Sequence, residues 1–181
     1  MRKRLIEPSC AGCPHDLSYL DSIPQRKFGV MMHCGEHYCT GGKRARRFKR
    51  RDPKTRVPQW CPRRKNPCGL RIYTLKNEDE WLLHHMLSQG MGHAASPAGH
   101  RYALRFEGTT ELSPCEFWRR CELEPAADLL SLQIELYEVL EIDDGLEPVY
   151  FYRTESGLVL ERSFDRARAQ SSAVWKGGGH P

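Results

Sequence analysis

Cysteine spacing is the feature that most restricts how this chain can fold. Six of its eight cysteines lie within the first 68 residues and form three sequence pairs: Cys10 with Cys13, Cys34 with Cys39, and Cys61 with Cys68. Residues 1–8 contain cations but no apolar run, so we expect no secretion signal and a cytoplasmic location. Because disulfides are uncommon in a reducing compartment, metal binding explains these clustered thiols better than disulfide bridges do.

The cysteine pattern predicts a zinc module holding one or two ions. C-x2-C, twenty intervening residues and C-x4-C are close to known zinc-module spacings, since zinc takes thiolates and imidazoles in pairs from tight turns. The predicted ligands are Cys10, Cys13, Cys34, Cys39, Cys61 and Cys68, with His33 and His37 as further candidates. One site made from any two pairs and two Cys3His sites both fit the pattern. The alternative is a set of buried thiols without metal.

Charge divides the 181 residues into two parts. Residues 1–76 contain 19 Lys and Arg against 5 Asp and Glu (net +14), whereas residues 77–181 contain 9 against 18 (net -9). We therefore predict a cysteine-rich, basic, zinc-binding module over 1–76, loop-rich with short strands. An acidic α+β domain is predicted over 77–181, with a small antiparallel β-meander, two helices and a frayed C-terminal tail. No stretch approaches the ~20 apolar residues that a membrane-spanning helix needs.

Local patterns predict the individual elements. Strands are expected at 28–32, 70–75, 101–106, 132–142, 149–152 and 158–160. Asn77 is predicted to be the N-cap of a helix that ends near Gly90. Residues 88–100 are predicted to form the loop that follows. Ser113 and Glu116 form a capping box with Pro114 at the first helical position, which opens a second helix. Residues 125–142 also fit a helical face loosely, and we take 132–142 as a strand.

A basic segment is the second functional signal. From Lys43 to Lys65, 12 of 23 residues are Lys or Arg, and the aromatic residues Phe48 and Trp60 are interleaved with them. Guanidinium groups suit phosphates, and aromatic faces stack on exposed bases. The predicted nucleic-acid-binding residues are Lys43, Arg44, Arg46, Arg47, Lys49, Arg50, Arg51, Arg56, Trp60, Arg63, Arg64 and Lys65. The alternatives are a solvated loop, a loop neutralised by the acidic half, or a nuclear-localisation signal.

One embedded motif raises the question of catalysis. Residues 33–37 match H-x-x-E-H, in which two histidines on one helical face hold zinc and Glu36 acts as general base. Gly35 and the following Gly41 and Gly42 are poor helix formers, so the segment does not favour the helix that this chemistry needs. Glu36 is therefore only a weak catalytic candidate, and a zinc hydrolase is the third interpretation.

Three segments carry a family resemblance. Residues 10–16 (CAGCPHD), 31–43 (MMHCGEHYCTGGK) and 60–68 (WCPRRKNPC) resemble cysteine-rich proteins carried by bacterial prophages and mobile elements. We expect the resemblance to extend into the second half through residues 101–106 and 136–148. It implies a bacterial, intracellular setting. It brings no established activity, so it assigns no functional residue.

These observations predict a zinc-binding accessory protein of a bacterial mobile element that binds nucleic acid through its basic segment. The alternative is an inhibitor or adaptor that acts on a nucleic-acid-processing protein of the host, with the acidic half mimicking phosphate. The predicted partners are therefore nucleic acid or such a protein, and no membrane.

Overall fold

Two compact units make up the chain. The computed structural model describes residues 5, 10, 13–14, 16–20, 25–27, 30–32, 35–48, 57–91 and 93–170. The N-terminal unit comprises Ile6–Arg64, and the sheet unit comprises Met1–Leu5 together with Lys65–Pro181. By sequence the N-terminal unit has 13 Lys and Arg against 5 Asp and Glu (net +8), and the sheet unit has 15 against 18 (net -3). The excess of acid in the second unit is thus small.

Short strands build the described part of the N-terminal unit. Strands β1 (Asp16–Leu20), β2 (Gln25–Lys27), β3 (Val30–Met32), β4 (Gly35–Cys39) and β5 (Arg46–Arg47) follow one another along the chain. β1, β4 and β5 form an antiparallel sheet in the order β1-β4-β5, and β2 pairs with β3. Asp16 pairs with Cys39, and Cys39 pairs with Arg46, so these three residues share one end of the sheet.

An antiparallel five-stranded sheet organises the sheet unit. Its strands are β6 (Cys68–Leu75), β7 (Tyr102–Thr110), β8 (Val139–Asp143), β9 (Val149–Thr154) and β10 (Gly157–Glu161), in the spatial order β10-β9-β8-β6-β7. The helices described in this unit are α1 (Glu78–Met91), α2 (Pro114–Arg120), α3 (Ala126–Leu130) and α4 (Arg166–Gln170), with a 3-10 turn at Gly99–Arg101. The predicted α+β class is confirmed. None of the described helices is both long and apolar enough to cross a membrane.

The division between the units lies at Arg64 and Lys65, whereas charge and cysteine content placed it after residue 76. Strand β6 explains the difference, because it pairs with β7 on one side and with β8 on the other. A strand that is hydrogen-bonded along both edges belongs to the sheet that it joins. The predicted strand at 70–75 therefore lies in the second unit.

Both faces of the five-stranded sheet are buried. On one face the cluster around Ile72 and Leu140 packs under α2, where the Phe117 ring lies 5.0 Å from the Phe151 ring. The core residues on this face are Cys68, Leu70, Ile72, Phe117, Leu140, Ile142, Phe151, Leu158 and Leu160. The opposite face holds Tyr73, Leu75, Tyr102, Tyr137, Val139, Tyr152, Phe164 and Ala169. Helices cover both faces because burial of apolar surface is the main favourable term in folding.

Both predicted helix starts are present. The Asn77 Oδ1 accepts a 2.8 Å hydrogen bond from the Glu80 amide, and Ser113 and Glu116 form the expected capping box. Helix α1 runs through Gly90 to Met91, further into the predicted loop than expected. A side-chain hydrogen bond stabilises its last turn, because the Oγ of Ser88 donates to the His84 carbonyl oxygen.

Residues 132–142 differ from the single strand predicted for them. Helix α3 ends at Leu130, its C-cap Ser131 has a left-handed φ of 53°, and strand β8 begins only after Glu138. The Glu138 carboxylate accepts hydrogen bonds from the Glu135 amide and from Arg105, both at 2.8 Å. These bonds fold residues 135–138 into a turn that apolar alternation alone does not reveal.

Helix α1 turns polar residues inward. His84 and Ser88 are buried, whereas the large apolar residues Leu82, Leu83, Met86, Leu87 and Met91 are exposed. The His84 Nε2 lies 2.6 Å from the Tyr152 hydroxyl, and Ser88 accepts a hydrogen bond from the Ala95 amide. The buried face of α1 is therefore fixed by hydrogen bonds as well as by packing.

The buried imidazole predicts a specific acid sensitivity. Burial, followed by the positive charge of Arg101, lowers the pKa of His84 from 6.5 to about 4. When folding lowers the pKa of a histidine, the folded state is fully stable only at pH values above the pKa of the unfolded chain. This stability is lost progressively as pH falls from the histidine pKa of the unfolded chain to that of the folded protein. We expect His84 alone to reduce the free energy of unfolding by about 3 kcal/mol as pH falls across this interval. Urea unfolding at a series of pH values measures the loss.

A non-titrating variant isolates this contribution. In His84→Gln an amide remains beside the Tyr152 hydroxyl, so this part of the pH dependence disappears even if the variant is less stable at neutral pH. His100→Gln, at an exposed position, is the matched control and keeps the wild-type profile. The same pH profile in all three proteins would contradict the role of His84.

Candidate functional site

Most cations of the basic segment are exposed where the structure describes them. Of the segment from Lys43 to Lys65, the structure describes residues 43–48 and 57–64 in the N-terminal unit. Lys43, Arg44, Arg46 and Arg47 are all exposed, the first two in a bend and the last two on β5. Among the described residues, Lys43, Arg44, Arg46 and Arg63 form no ion pair. Exposed cations of this kind attract phosphates, since no carboxylate in the described part of the chain is paired with them.

One arginine of the segment is held against an aromatic ring. The guanidinium carbon of Arg46 lies 4.3 Å from the centroid of the Trp60 ring. The Phe48 ring packs against the same indole, with centroids 5.2 Å apart and an interplanar angle of 58°. Such cation–π contact restricts the guanidinium and leaves its N–H donors at the edge of the group. The contact makes Trp60 a support for Arg46, whereas the sequence suggested that it stacks on bases.

The remaining predicted nucleic-acid residues have different positions. Arg63 is exposed, while Arg64 donates from Nη2 to the Val57 carbonyl at 3.0 Å. Lys65 belongs to the sheet unit, where its Nζ lies 2.6 Å from an oxygen of Asp143. Lys49, Arg50, Arg51 and Arg56 lie outside the described residues.

Four of the predicted ligand cysteines lie in the described N-terminal unit. Cys10 and Cys13 form a turn in which the Cys13 amide donates to the Cys10 carbonyl at 2.9 Å. Cys39 is the last residue of β4. Cys61 follows Trp60 in a turn in which the Cys61 amide donates a hydrogen bond to the Pro58 carbonyl. All four side chains are half-buried. In the part of the chain that the structure describes, no three or more His, Cys, Asp and Glu side chains are grouped to hold a metal ion.

The other predicted ligands lie elsewhere. Cys68 is buried in the apolar core of the sheet unit, with its Sγ 3.7 Å from the Lys65 carbonyl oxygen. Its surroundings match those of an inert packed thiol. Cys34 and His33 lie outside the described residues.

The H-x-x-E-H segment contains a strand. Gly35–Cys39 forms β4, in which Glu36 pairs with Tyr19 and His37 pairs with Ser18. A strand rises about 3.3 Å per residue and alternates its side chains between faces. The segment therefore lacks the single helical face on which the protease motif gathers its two histidines and its general base.

Two buried carboxylates of the sheet unit, Glu138 and Glu141, are paired within that unit. Glu141 is fully buried, and its Oε1 accepts hydrogen bonds from Arg71 and Arg166, both at 2.8 Å. Its Oε2 accepts from the Tyr73 hydroxyl at 2.8 Å. The bond to Glu141 raises the pKa of Arg166, while burial and then the Glu141 charge raise the pKa of Tyr73. Arg105 pairs with the buried Glu138 in the same way.

No family model, curated protein or solved structure matches the chain. The geometry of the described residues is therefore the basis for the proposals that follow.

Two features of this geometry do not follow from the sequence pattern. Lys65 pairs with Asp143, which is far away in sequence and meets it only when β8 enters the sheet. Arg46 contacts Trp60, although the pattern predicted phosphate binding for one and base stacking for the other. The interleaving of aromatic residues with cations was the available signal, but it does not say which ring supports which cation.

Proposed function

We propose that the N-terminal unit binds nucleic acid through the basic segment. The observation that carries this proposal is a set of exposed cations without carboxylate partners among the described residues, one of which, Arg46, lies over the Trp60 ring. Phosphates supply the complementary charge, and contacts to them carry no sequence information. The expected binding is therefore tight at low salt and similar for different base sequences.

The contact between Arg46 and Trp60 supports the proposal energetically. A free arginine side chain loses rotamer freedom when it binds a phosphate, which reduces affinity. The indole already restricts Arg46, so less freedom is lost on binding. Trp60 is a positioning residue in this proposal, and the phosphate contacts are made by Arg46 and its basic neighbours.

The acidic unit gives weaker support to the phosphate-mimic alternative. Its net charge by sequence is only -3, and Glu138, Glu141 and Asp143 are paired inside the unit. A phosphate mimic needs a row of unpaired, exposed carboxylates. The proposed setting, an accessory protein of a bacterial mobile element, rests on the resemblance of residues 10–16, 31–43 and 60–68.

We further propose that zinc stabilises this unit through Cys10, Cys13, Cys39 and Cys61. The turn that carries Cys10 and Cys13 precedes β1, whose first residue pairs with Cys39. Cys39 pairs in turn with Arg46, which contacts Trp60 beside Cys61. Cys39 lies at the end of the three-stranded sheet, and the other three cysteines lie close along the chain to its pairing partners or to the residue that contacts one of them. An ion that draws the four thiols together would close the loops between them, and such closure supplies folding free energy.

Salt dependence tests the nucleic-acid proposal. We expect Lys43→Gln combined with Arg44→Gln to weaken binding of a mixed-sequence duplex. Each lost phosphate contact should also lower the slope of log affinity against log salt concentration by about 0.9. Fluorescence anisotropy with a labelled oligonucleotide and nuclease-treated full-length protein measures both quantities.

The matched control removes two cations from the sheet unit, Lys76 and Arg162. The Lys76→Gln, Arg162→Gln protein has the same net charge as the double variant in the basic segment, and we expect its affinity and slope to remain those of the wild type. Equal losses in the two double variants, or no binding by the wild type at low salt, would contradict the proposal.

A double-mutant cycle tests the positioning role of Trp60. If Trp60 acts through Arg46, then Trp60→Leu weakens binding several-fold in the wild type and has almost no further effect in Arg46→Gln. Additive losses in the same anisotropy assay would instead indicate that the indole contacts bases directly.

Thiol labelling tests the zinc proposal. With one equivalent of zinc, we expect alkylation of the four cysteines to slow by on the order of a hundredfold relative to chelated protein. Cys115 and Cys121 in the sheet unit are internal controls, with rates that zinc leaves unchanged. Mass spectrometry of peptides reports each site. Protection of Cys34 or Cys68 in place of any of the four would overturn this ligand set.

A further inference from the structure

A cavity of about 640 Å³ lies beside the edge strand β10 of the sheet unit. This volume is within the range that small-molecule sites occupy. Its lining combines three aromatic rings, those of Trp118, Tyr137 and Tyr152, with the carboxylates of Glu155 and Glu161. The described lining residues include no Lys or Arg, so the cavity does not suit phosphate or carboxylate ligands.

One residue of the cavity floor has an unusual backbone. Tyr137 has φ of 67°, in the left-handed region that residues with bulky side chains rarely occupy. Its hydroxyl lies 3.0 Å from the His85 Nδ1, and its carbonyl accepts a 3.0 Å hydrogen bond from the Tyr102 hydroxyl. Backbone strain of this kind persists only where the surroundings hold it, and it clusters at ligand sites.

The two carboxylates are held at separate places along the cavity. Glu161 Oε1 accepts hydrogen bonds from the amides of Arg162 and Ser163 at the end of β10. Glu155 lies in the turn before β10, where its Oε1 accepts a 3.0 Å bond from Gln89. Strand β10 itself spans about 13 Å at the usual rise per residue. Two negative charges therefore stand roughly one strand length apart.

Two tyrosine residues line the same cavity. Tyr137 and Tyr152 are stacked, with ring centroids 6.4 Å apart. Burial is the main cause that raises the pKa of each, with a further contribution from Glu155 at Tyr137 and from Glu161 at Tyr152. Each carboxylate is thus close enough to act on a different ring of the pair.

We propose that this cavity binds a linear aliphatic polyamine. One ammonium group pairs with Glu155, another pairs with Glu161, and the methylene chain lies along the cavity wall beside Val159. Ammonium groups are attracted to carboxylates, and the methylene chain is apolar like the Val159 side chain. A neutral sugar would leave both carboxylates without a counter-charge. The site belongs to the sheet unit and is independent of the proposed nucleic-acid function.

Calorimetric titration of nuclease-treated protein with spermidine, at low ionic strength, tests the proposal. We expect saturable binding of one molecule per chain, with putrescine weaker because it is too short to reach both carboxylates. Glu155→Gln and Glu161→Gln should each weaken spermidine binding by about tenfold, the effect of losing one charge-assisted hydrogen bond. Circular dichroism confirms that both variants are folded.

Two exposed carboxylates of the same unit provide the matched controls. Glu111→Gln and Glu147→Gln make the same change of charge away from the cavity, and we expect them to bind spermidine like the wild type. Equal losses in the control and cavity variants would show non-specific attraction to an acidic surface and overturn the proposal. Absence of saturable binding, or equal affinity for putrescine and spermidine, would overturn it as well.

Discussion

The pairing of strand β6 along both of its edges is the constraint on which the sheet unit depends. Cys68–Leu75 joins β7 to the β8-β9-β10 meander, so the five strands form one sheet with two buried faces. Four helices from later in the chain cover these faces. Strand β6 also begins only a few residues after the N-terminal unit ends. The basic and cysteine-rich composition of that unit therefore continues into β6.

The two units differ in how their charged side chains are paired. In the sheet unit, the buried Glu141 accepts hydrogen bonds from Arg71, Arg166 and the Tyr73 hydroxyl, so its carboxylate is paired with guanidinium groups of opposite charge. Removing either partner of such a buried pair leaves an uncompensated charge, so these groups are committed to the fold. Among the described residues, no carboxylate pairs with Lys43, Arg44, Arg46 or Arg63 of the basic segment. This contrast is the reason for assigning phosphate binding to the N-terminal unit.

Much of the secondary structure follows from local chemistry. The capping groups at Asn77 and Ser113 mark helix starts because their side chains bond the first free amides, whatever the rest of the chain does. The strands β6, β7, β9 and β10 alternate clearly enough to be predicted. Residues 132–142 were less predictable, because the turn at 135–138 depends on Glu138 meeting Arg105 from β7. That contact joins residues far apart in sequence.

The sequence by itself determined the helix starts, the mixed class of the fold, the concentration of cations before residue 65 and the cysteine spacing, since each depends on neighbouring residues. Only the tertiary structure decided that Cys68 is a core thiol, that Arg46 rests on Trp60, and that α1 buries His84 while exposing leucines. The tertiary structure alone also brought Tyr137, Glu155 and Glu161 to one cavity beside the edge strand β10. These outcomes depend on which distant segments pack together, and that choice is made by the free energy of the whole fold.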